Sequence, residues 1–214
     1  MISIKNSAKG KLDIIKEHIL AINKINILEL GVRKGNSTKM FLDVCERNDG
    51  YLTSIDIEDC SKVVNNKRWN FIHSSDSNFD YVNKFISNSK FDVLFIDSLH
   101  EPNHVRKVFY HYFNFLKLNG IIFLDDVVWL PYTKNAVRDN DFVEIINRLT
   151  FEKLIEIYNA NVSNLTLNID FTGSGLAILK KIGSDLNTEK KIKNRLFSIK
   201  NIIKKYIYFP KPKL

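Results

Sequence analysis

Hydrophobic positions follow two rhythms along this chain. Dense apolar runs at 26–30, 51–56, 69–73, 91–97 and 120–125 are short enough to be buried strands. Between them, apolar residues recur at helical spacing over 37–47, 78–87 and 103–117, and only weakly over 59–66. Ahead of the first strand, Leu12, Ile15, Ile19 and Ile22 form one stripe of a helix expected over 9–24. Strands separated by helices need crossover connections, and these build a parallel sheet covered on both faces. The rhythm changes late. A helix is expected at 140–149, then two strands at about 153–159 and 175–181 with no clear helix between them. Such a pair suits an antiparallel hairpin. The expected fold is therefore α/β: a doubly wound, mostly parallel sheet with a late antiparallel hairpin. Val105, Val108, Phe109, Tyr112, Phe113 and Leu116 give the helix over 103–117 a broad core-facing stripe, which puts His104 and His111 towards solvent.

A chain of 214 residues can bury one good core, with a small appendage. No apolar run approaches the ~20 residues of a membrane span, and polar residues interrupt every apolar stretch near the N-terminus, so no signal peptide is expected. Cys45 and Cys60 have no metal-binding spacing and read as two reduced thiols of a cytoplasmic protein. Three glycosylation sequons (Asn36, Asn161, Asn164) are then taken as chance. The net charge of +8 is not spread evenly. Residues 180–214 carry 11 Lys/Arg against two acids, and the rest carries 21 basic against 22 acidic residues. A neutral body gives no support for nucleic-acid binding. The expected division is a domain over 1–182, including the helix at 9–24, and a basic amphipathic tail over 183–214.

Asn26-Ile-Leu-Glu-Leu-Gly-Val-Arg-Lys-Gly-Asn-Ser-Thr38 is a buried strand, a tight turn and a helix start. Its pattern is Glu-x-Gly-x-x-x-Gly, not the Gly-x-Gly-x-x-Gly of dinucleotide folds. It resembles the cofactor loop of the S-adenosylmethionine-dependent methyltransferases. The resemblance implies a seven-stranded Rossmann-like sheet. It also implies that Glu29 and Gly31 lie by the methionine part of the cofactor, with Gly35 and Ser37 completing the loop. Asp56 ends the second strand, where an acid can accept both ribose hydroxyls. His73-Ser-Ser-Asp-Ser77 resembles the turn that lines the adenine pocket of small-molecule O-methyltransferases, with Ser75 in place of the usual glycine. Asp76 is then an adenine-side contact, or alternatively a helix cap.

A second cluster points to the acceptor. Phe91-Asp-Val-Leu-Phe-Ile-Asp97 ends in one acid and Gly120-Ile-Ile-Phe-Leu-Asp-Asp126 in two. If these strands are neighbours, their ends lie about 5 Å apart on the ligand-binding face. Three carboxylates there repel, and a divalent cation, Mg2+ or Mn2+, resolves the conflict. Ile96-Asp-Ser-Leu-His100, Leu118 to Asp126 and Thr172-Gly-Ser-Gly-Leu176 resemble a methyltransferase group that includes the macrocin-type, metal-dependent sugar O-methyltransferases and the cephalosporin-hydroxylase-like proteins. In that resemblance Asp97, Asp125 and Asp126 are the metal ligands. Ser98 and Asn119 depart from glycines common in the group.

His100 is open to three roles: general base, metal ligand, or a cap for the next helix together with Glu101 and Pro102. As base it would take the acceptor's proton, with Asp97 beside it. Val127-Val-Trp-Leu-Pro-Tyr132 either walls the acceptor pocket, through Trp129 or Tyr132, or packs in the core. The tail either docks on its own domain or a twin subunit as a homodimer, rests on an anionic membrane surface at the inner face, or grips an anionic glycan. The leading expectation is a cytoplasmic, metal-dependent O-methyltransferase acting on a sugar or glycan hydroxyl of a small-molecule acceptor. The alternatives are a metal-independent methyltransferase, a hydroxylase-like relative, and a non-enzymatic cofactor-binding module.

Overall fold

The computed structural model describes residues 5–129, 141–192 and 203. The elements in chain order are α1 (Lys5–Ile19), β1 (Asn26–Leu30), α2 (Asn36–Arg47), β2 (Tyr51–Asp56), β3 (Trp69–His73), α3 (Phe79–Ile86), β4 (Phe91–Ile96), α4 (Pro102–Phe113), β5 (Leu116–Asp125), α5 (Asp141–Ala160), β6 (Leu165–Asp170) and β7 (Leu176–Lys181). They form one seven-stranded sheet in the order β3-β2-β1-β4-β5-β7-β6. The first five strands run parallel, and β7 lies antiparallel between β5 and β6.

Period-2 side-chain alternation splits each central strand between two cores. Leu28, Leu94, Ile96, Ile122 and Leu124 pack with α3, α4 and α5 on one face. Ile27, Val93, Phe95 and Phe123 pack with Ile15 and Ile19 of α1 and with Phe41, Leu42 and Val44 of α2 on the other. The sheet is thus covered on both sides, as a doubly wound sheet must be.

The late elements differ from the expectation. Residues 153–159, read as a strand, are the second half of the 20-residue helix α5. Leu154 and Ile157 are fully buried and Phe151 and Tyr158 pack beside them, so the spacing is helical and tertiary packing overrides the β-branched composition. The partner of β7 is instead β6, whose Leu-Thr-Leu-Asn-Ile-Asp alternation is strand-like. The weak helical run at 59–66 forms no helix, only a turn at 61–62 within irregular chain. His104 and His111 do not face solvent. His111 stacks on Phe79 at 3.9 Å between ring centroids, and His104 turns towards Asp76.

Residues 183–192 have no regular structure but lie against α4 and α5: Asn187 bonds Asn161, Arg106 pairs with Glu189, and the Ile192 amide donates to Glu156. Most of the basic tail, and Tyr132, lie outside the described residues. No helix among the described residues is long and apolar enough to cross a membrane.

Candidate active site

The chain winds outward from β1 to β3 and then returns to place β4 on the other side of β1. The crevice of such a sheet opens beyond the carboxyl ends of the strands at this switch point. Gly31 sits in it with φ +95°, and a Cβ there would come 2.3 Å from the Asp97 carbonyl oxygen. The loops after β1 and β4 can close this far only because residue 31 has no side chain. Gly35 opens α2 with φ +71°, and a Cβ there would strike Val63.

Three acids stand on the β1–β3 side. Glu29 is fully buried: Oε1 accepts from Ser37 Oγ at 2.6 Å, and Oε2 from Thr38 Oγ1 at 2.8 Å and Ser54 Oγ at 2.6 Å. Burial raises its pKa to about 7, against the pull of these hydroxyls. Glu29 and Ser37 are thus both buried and bonded to each other. Asp56 Oδ2 accepts from the amides of Val32 (2.7 Å) and Arg33 (3.0 Å), and Oδ1 from that of Glu58 (2.8 Å). Burial would raise its pKa, but these amides outweigh it and hold the carboxylate ionised. Two carboxylate oxygens offer about four acceptor sites, so Asp56 keeps capacity for a hydroxyl. Asp76 Oδ2 accepts from Ser98 Oγ at 2.6 Å and lies 3.0 Å from His104 Nε2, while Tyr112 donates to its backbone carbonyl at 2.6 Å.

The second group stands at the ends of β4 and β5. His100 Nε2 lies 3.4 Å from Asp97 Oδ1 and 3.6 Å from Asp126 Oδ2. Burial works to lower its pKa, but Asp97 and Asp126 outweigh it and hold the imidazole above its usual 6.5. The His100 carbonyl accepts from Thr150 Oγ1 at 2.7 Å, which ties this loop to α5. Capping of α4 falls to Glu101, whose carboxylate accepts from the amides of Asn103 and His104. Asp126 has a left-handed backbone, φ +57°. Aspartate tolerates this region, and the turn breaks the strand alternation that would send Asp125 and Asp126 to opposite faces. Both carboxylates instead meet one cation.

That cation is Lys11, on α1. Its buried ammonium donates to Asp125 Oδ1, to Asp126 Oδ1 at 3.3 Å and to Ser174 Oγ at 2.8 Å. Ser174 donates in turn to Asp126. Burial works to lower the Lys11 pKa, but the attraction of Asp125 and Asp126 outweighs it and keeps the lysine charged. Asp125, more enclosed than Asp97 or Asp126, is raised by burial and by the Asp97 charge, against the pull of Lys11. Burial also acts to raise Asp126, but His100, Lys11 and Ser174 overcome it and hold Asp126 low. Trp129 packs on Phe151 of α5, with 4.8 Å between ring centroids.

Residues 28–127 match the family model of a methyltransferase domain. The seven-stranded sheet is the Rossmann-like fold of the class I methyltransferases. Among solved structures the chain is similar to a Staphylococcus aureus protein described as a caffeoyl-CoA O-methyltransferase, at 22% identity and TM-score 0.62, covering 80% of this chain and 82% of that one. It is similar to the Podospora anserina methyltransferase PaMTH1 bound to SAH, at 14% identity and TM-score 0.62, covering 85% and 80% of the two chains. It is also similar to MycE of the mycinamycin biosynthetic pathway in complex with Mg and SAH, at 18% identity and TM-score 0.59. That match covers 90% of this chain but 53% of MycE, so the chain spans about half of MycE's length. No curated protein matches the chain in sequence.

Every acid expected at a strand end lies inside the matched segment. Lys11 and Ser174 lie outside it, and neither was expected to act at the site. A signal for Lys11 was present: it precedes Ile15 by one helical turn and Ile19 by two, so the core-facing stripe of α1 continues into a lysine.

Proposed function

We propose that this protein is an S-adenosylmethionine-dependent O-methyltransferase acting on a sugar-class hydroxyl, with His100 as the general base. The observation that carries the reading is the His100 imidazole, set between Asp97 and Asp126 beside the Gly31 crevice. Glycine at 31, with Asp56 and Asp76 at the ends of the next two strands, fits an adenosyl cofactor. When bound, that cofactor supplies an electrophilic sulfonium methyl. The chain's own contribution is to hold the acceptor hydroxyl and remove its proton. His100 Nε2 accepts the proton as the oxygen takes the methyl, and Asp97 and Asp126 balance the imidazolium that forms. General-base catalysis of this kind contributes about 10²–10⁴-fold. Support for a sugar acceptor comes from the resemblance in residues 96–126 and 172–176 and from a fold neighbour, CalS11, a TDP-rhamnose 3'-O-methyltransferase.

Three carboxylates and an imidazole are chemically suited to Mg2+, the ion named with MycE. The geometry does not fit it. The Lys11 ammonium lies between Asp125 and Asp126, and among the described residues no group of three His, Cys, Asp or Glu side chains is arranged to hold a metal ion. No step of the proposed reaction therefore passes through a metal.

The test is methyl transfer from labelled S-adenosylmethionine to a panel of nucleotide-linked sugars and free glycosides, analysed by mass spectrometry. An O-methylated sugar supports the reading. Tight cofactor binding with methyl transfer to phenols alone overturns the sugar class, and with no transfer to any hydroxyl overturns the reaction.

A further inference from the structure

We propose that Lys11 serves as the built-in counter-cation of the acceptor corner, taking the place of a divalent ion between Asp125 and Asp126. This deepens the proposed function, because it concerns the same corner, but it stands on its own geometry. A lysine ammonium has three N–H donors. Here three acceptors meet them: Asp125 Oδ1, Asp126 Oδ1 and Ser174 Oγ. Lys11 is 5% exposed, so little water is left to share the work.

The surroundings are built to bring it there. Ile15 and Ile19, one and two turns on, are buried in the core and fix the rotation of α1. Gly10 lies against Thr172, and a Cβ at residue 10 would stand 3.3 Å from its Cγ2. That is tighter than ordinary contact, so α1 lies close against the loop that presents Ser174. That loop is clamped to the acids in turn: the Asp126 amide donates to the Gly175 carbonyl and the Val128 amide to the Ser174 carbonyl. Gly175, at φ +82°, leaves no room for a Cβ beside Val128. Helix, loop and strand end thus form one socket with a lysine in it. Mg2+ needs ligands at about 2.0–2.1 Å in octahedral array and sheds water reluctantly, so it cannot share this space with the ammonium. Lys11 is a positioning residue: it holds the Asp125–Asp126 pair so that Asp126 faces His100.

The experiment measures metal binding by the full chain without cofactor or acceptor, from the loss of the free Mn2+ paramagnetic resonance signal. Wild type is expected to bind no Mn2+ up to about 1 mM, a weak-affinity ceiling. Lys11→Met frees the carboxylates and is expected to bind Mn2+ at least about tenfold more tightly than that ceiling. Lys11→Arg keeps a cation and should behave as wild type. Stoichiometric Mn2+ binding by wild type, lost in Asp125→Asn, overturns the proposal. So does an absence of binding by both wild type and a folded Lys11→Met, since the acids then form no latent cation site. If Lys11→Met does not fold, Lys11→Gln replaces it, and the wild-type arm decides regardless. None of these readings needs methyl transfer, so failure of the proposed reaction would leave this result standing.

Discussion

The two ends of the crevice are both lined with carboxylates, yet they satisfy them by opposite means. On the β1–β3 side, Glu29 is met by neutral hydroxyls 8, 9 and 25 residues away, and Asp56 by backbone amides 2, 23 and 24 residues away. On the β4–β5 side, Asp125 and Asp126 are met by a cation from a helix 114 and 115 residues earlier, and Asp126 by a hydroxyl 48 residues later. Around Glu29 and Asp56 the β1–β3 side is a local construction, complete once β1, α2 and β2 have formed, whereas Asp76 waits for Ser98 and for His104 of α4. The acceptor side exists only when α1, β5 and the β6–β7 loop have all arrived. The proposed base, His100, stands on the assembled side, between two acids.

This contrast separates the effects of mutation. The largest is expected from His100→Ala, which should lower methyl transfer by about 10²–10⁴-fold while cofactor affinity stays within a few-fold. Isothermal titration beside initial rates would show the split, and equal loss of both would erase the division between the two ends. The pH profile sharpens it. His100 must be neutral to accept a proton and its pKa is raised, so the rate should climb with pH through a value above 6.5 and fall away on the acid side. In His100→Ala that limb should disappear.

Next in size is Glu29, whose effect falls on stability. Its folded pKa of about 7 lies above the unfolded 4.5, so between these values the folded chain binds more protons than the unfolded. Stability therefore falls as pH rises through this window, by about 3 kcal/mol at 1.36 kcal/mol per unit. Glu29→Gln should flatten this slope, because the rotating hydroxyls of Ser37, Thr38 and Ser54 can serve an amide as well. Urea melts at pH 4.5 and 7.5 would show it, and an unchanged slope would mean that Glu29 is not the group responsible. A smaller effect is expected from Asp56→Ala, which removes the acceptor proposed for the ribose hydroxyls. Cofactor affinity should weaken by about tenfold or more, in line with about 1.5–3 kcal/mol for a hydrogen bond to a charged group, and the pH limb of the rate should not move. The smallest belongs to Tyr112→Phe, which takes a donor from the buried Asp76 carbonyl. It should cost about 1 kcal/mol of stability, read as a lower denaturation midpoint, with the wild-type response to Mn2+ retained.

The donor side was also the more legible in the sequence. Strands β1, β2 and β3 lie where dense apolar runs placed them, and the turn glycines and strand-end acids are visible one by one. The acceptor acids were equally visible. What they bind was not, because repulsion among three carboxylates calls for a cation without saying which. The expectation of a metal followed from the acids and from the family resemblance, and the lysine that meets them sits on a helix read only for its hydrophobic stripe. Residues 153–159 were misread for a related reason. Ile, Leu and Tyr suit either element, and only packing of Leu154 and Ile157 against the sheet selects the helix.

Sequence alone determined the α/β alternation, the parallel sheet, the glycine turn after β1 and the acids at the strand ends. Each is written in local spacing, which needs no knowledge of distant residues. Tertiary structure alone decided the counter-charge: a left-handed turn at Asp126 aims two neighbouring carboxylates at one point, and α1 delivers Lys11 to it. A buried charge must be neutralised by whatever the fold brings within reach, and the order of residues along a chain does not state that distance.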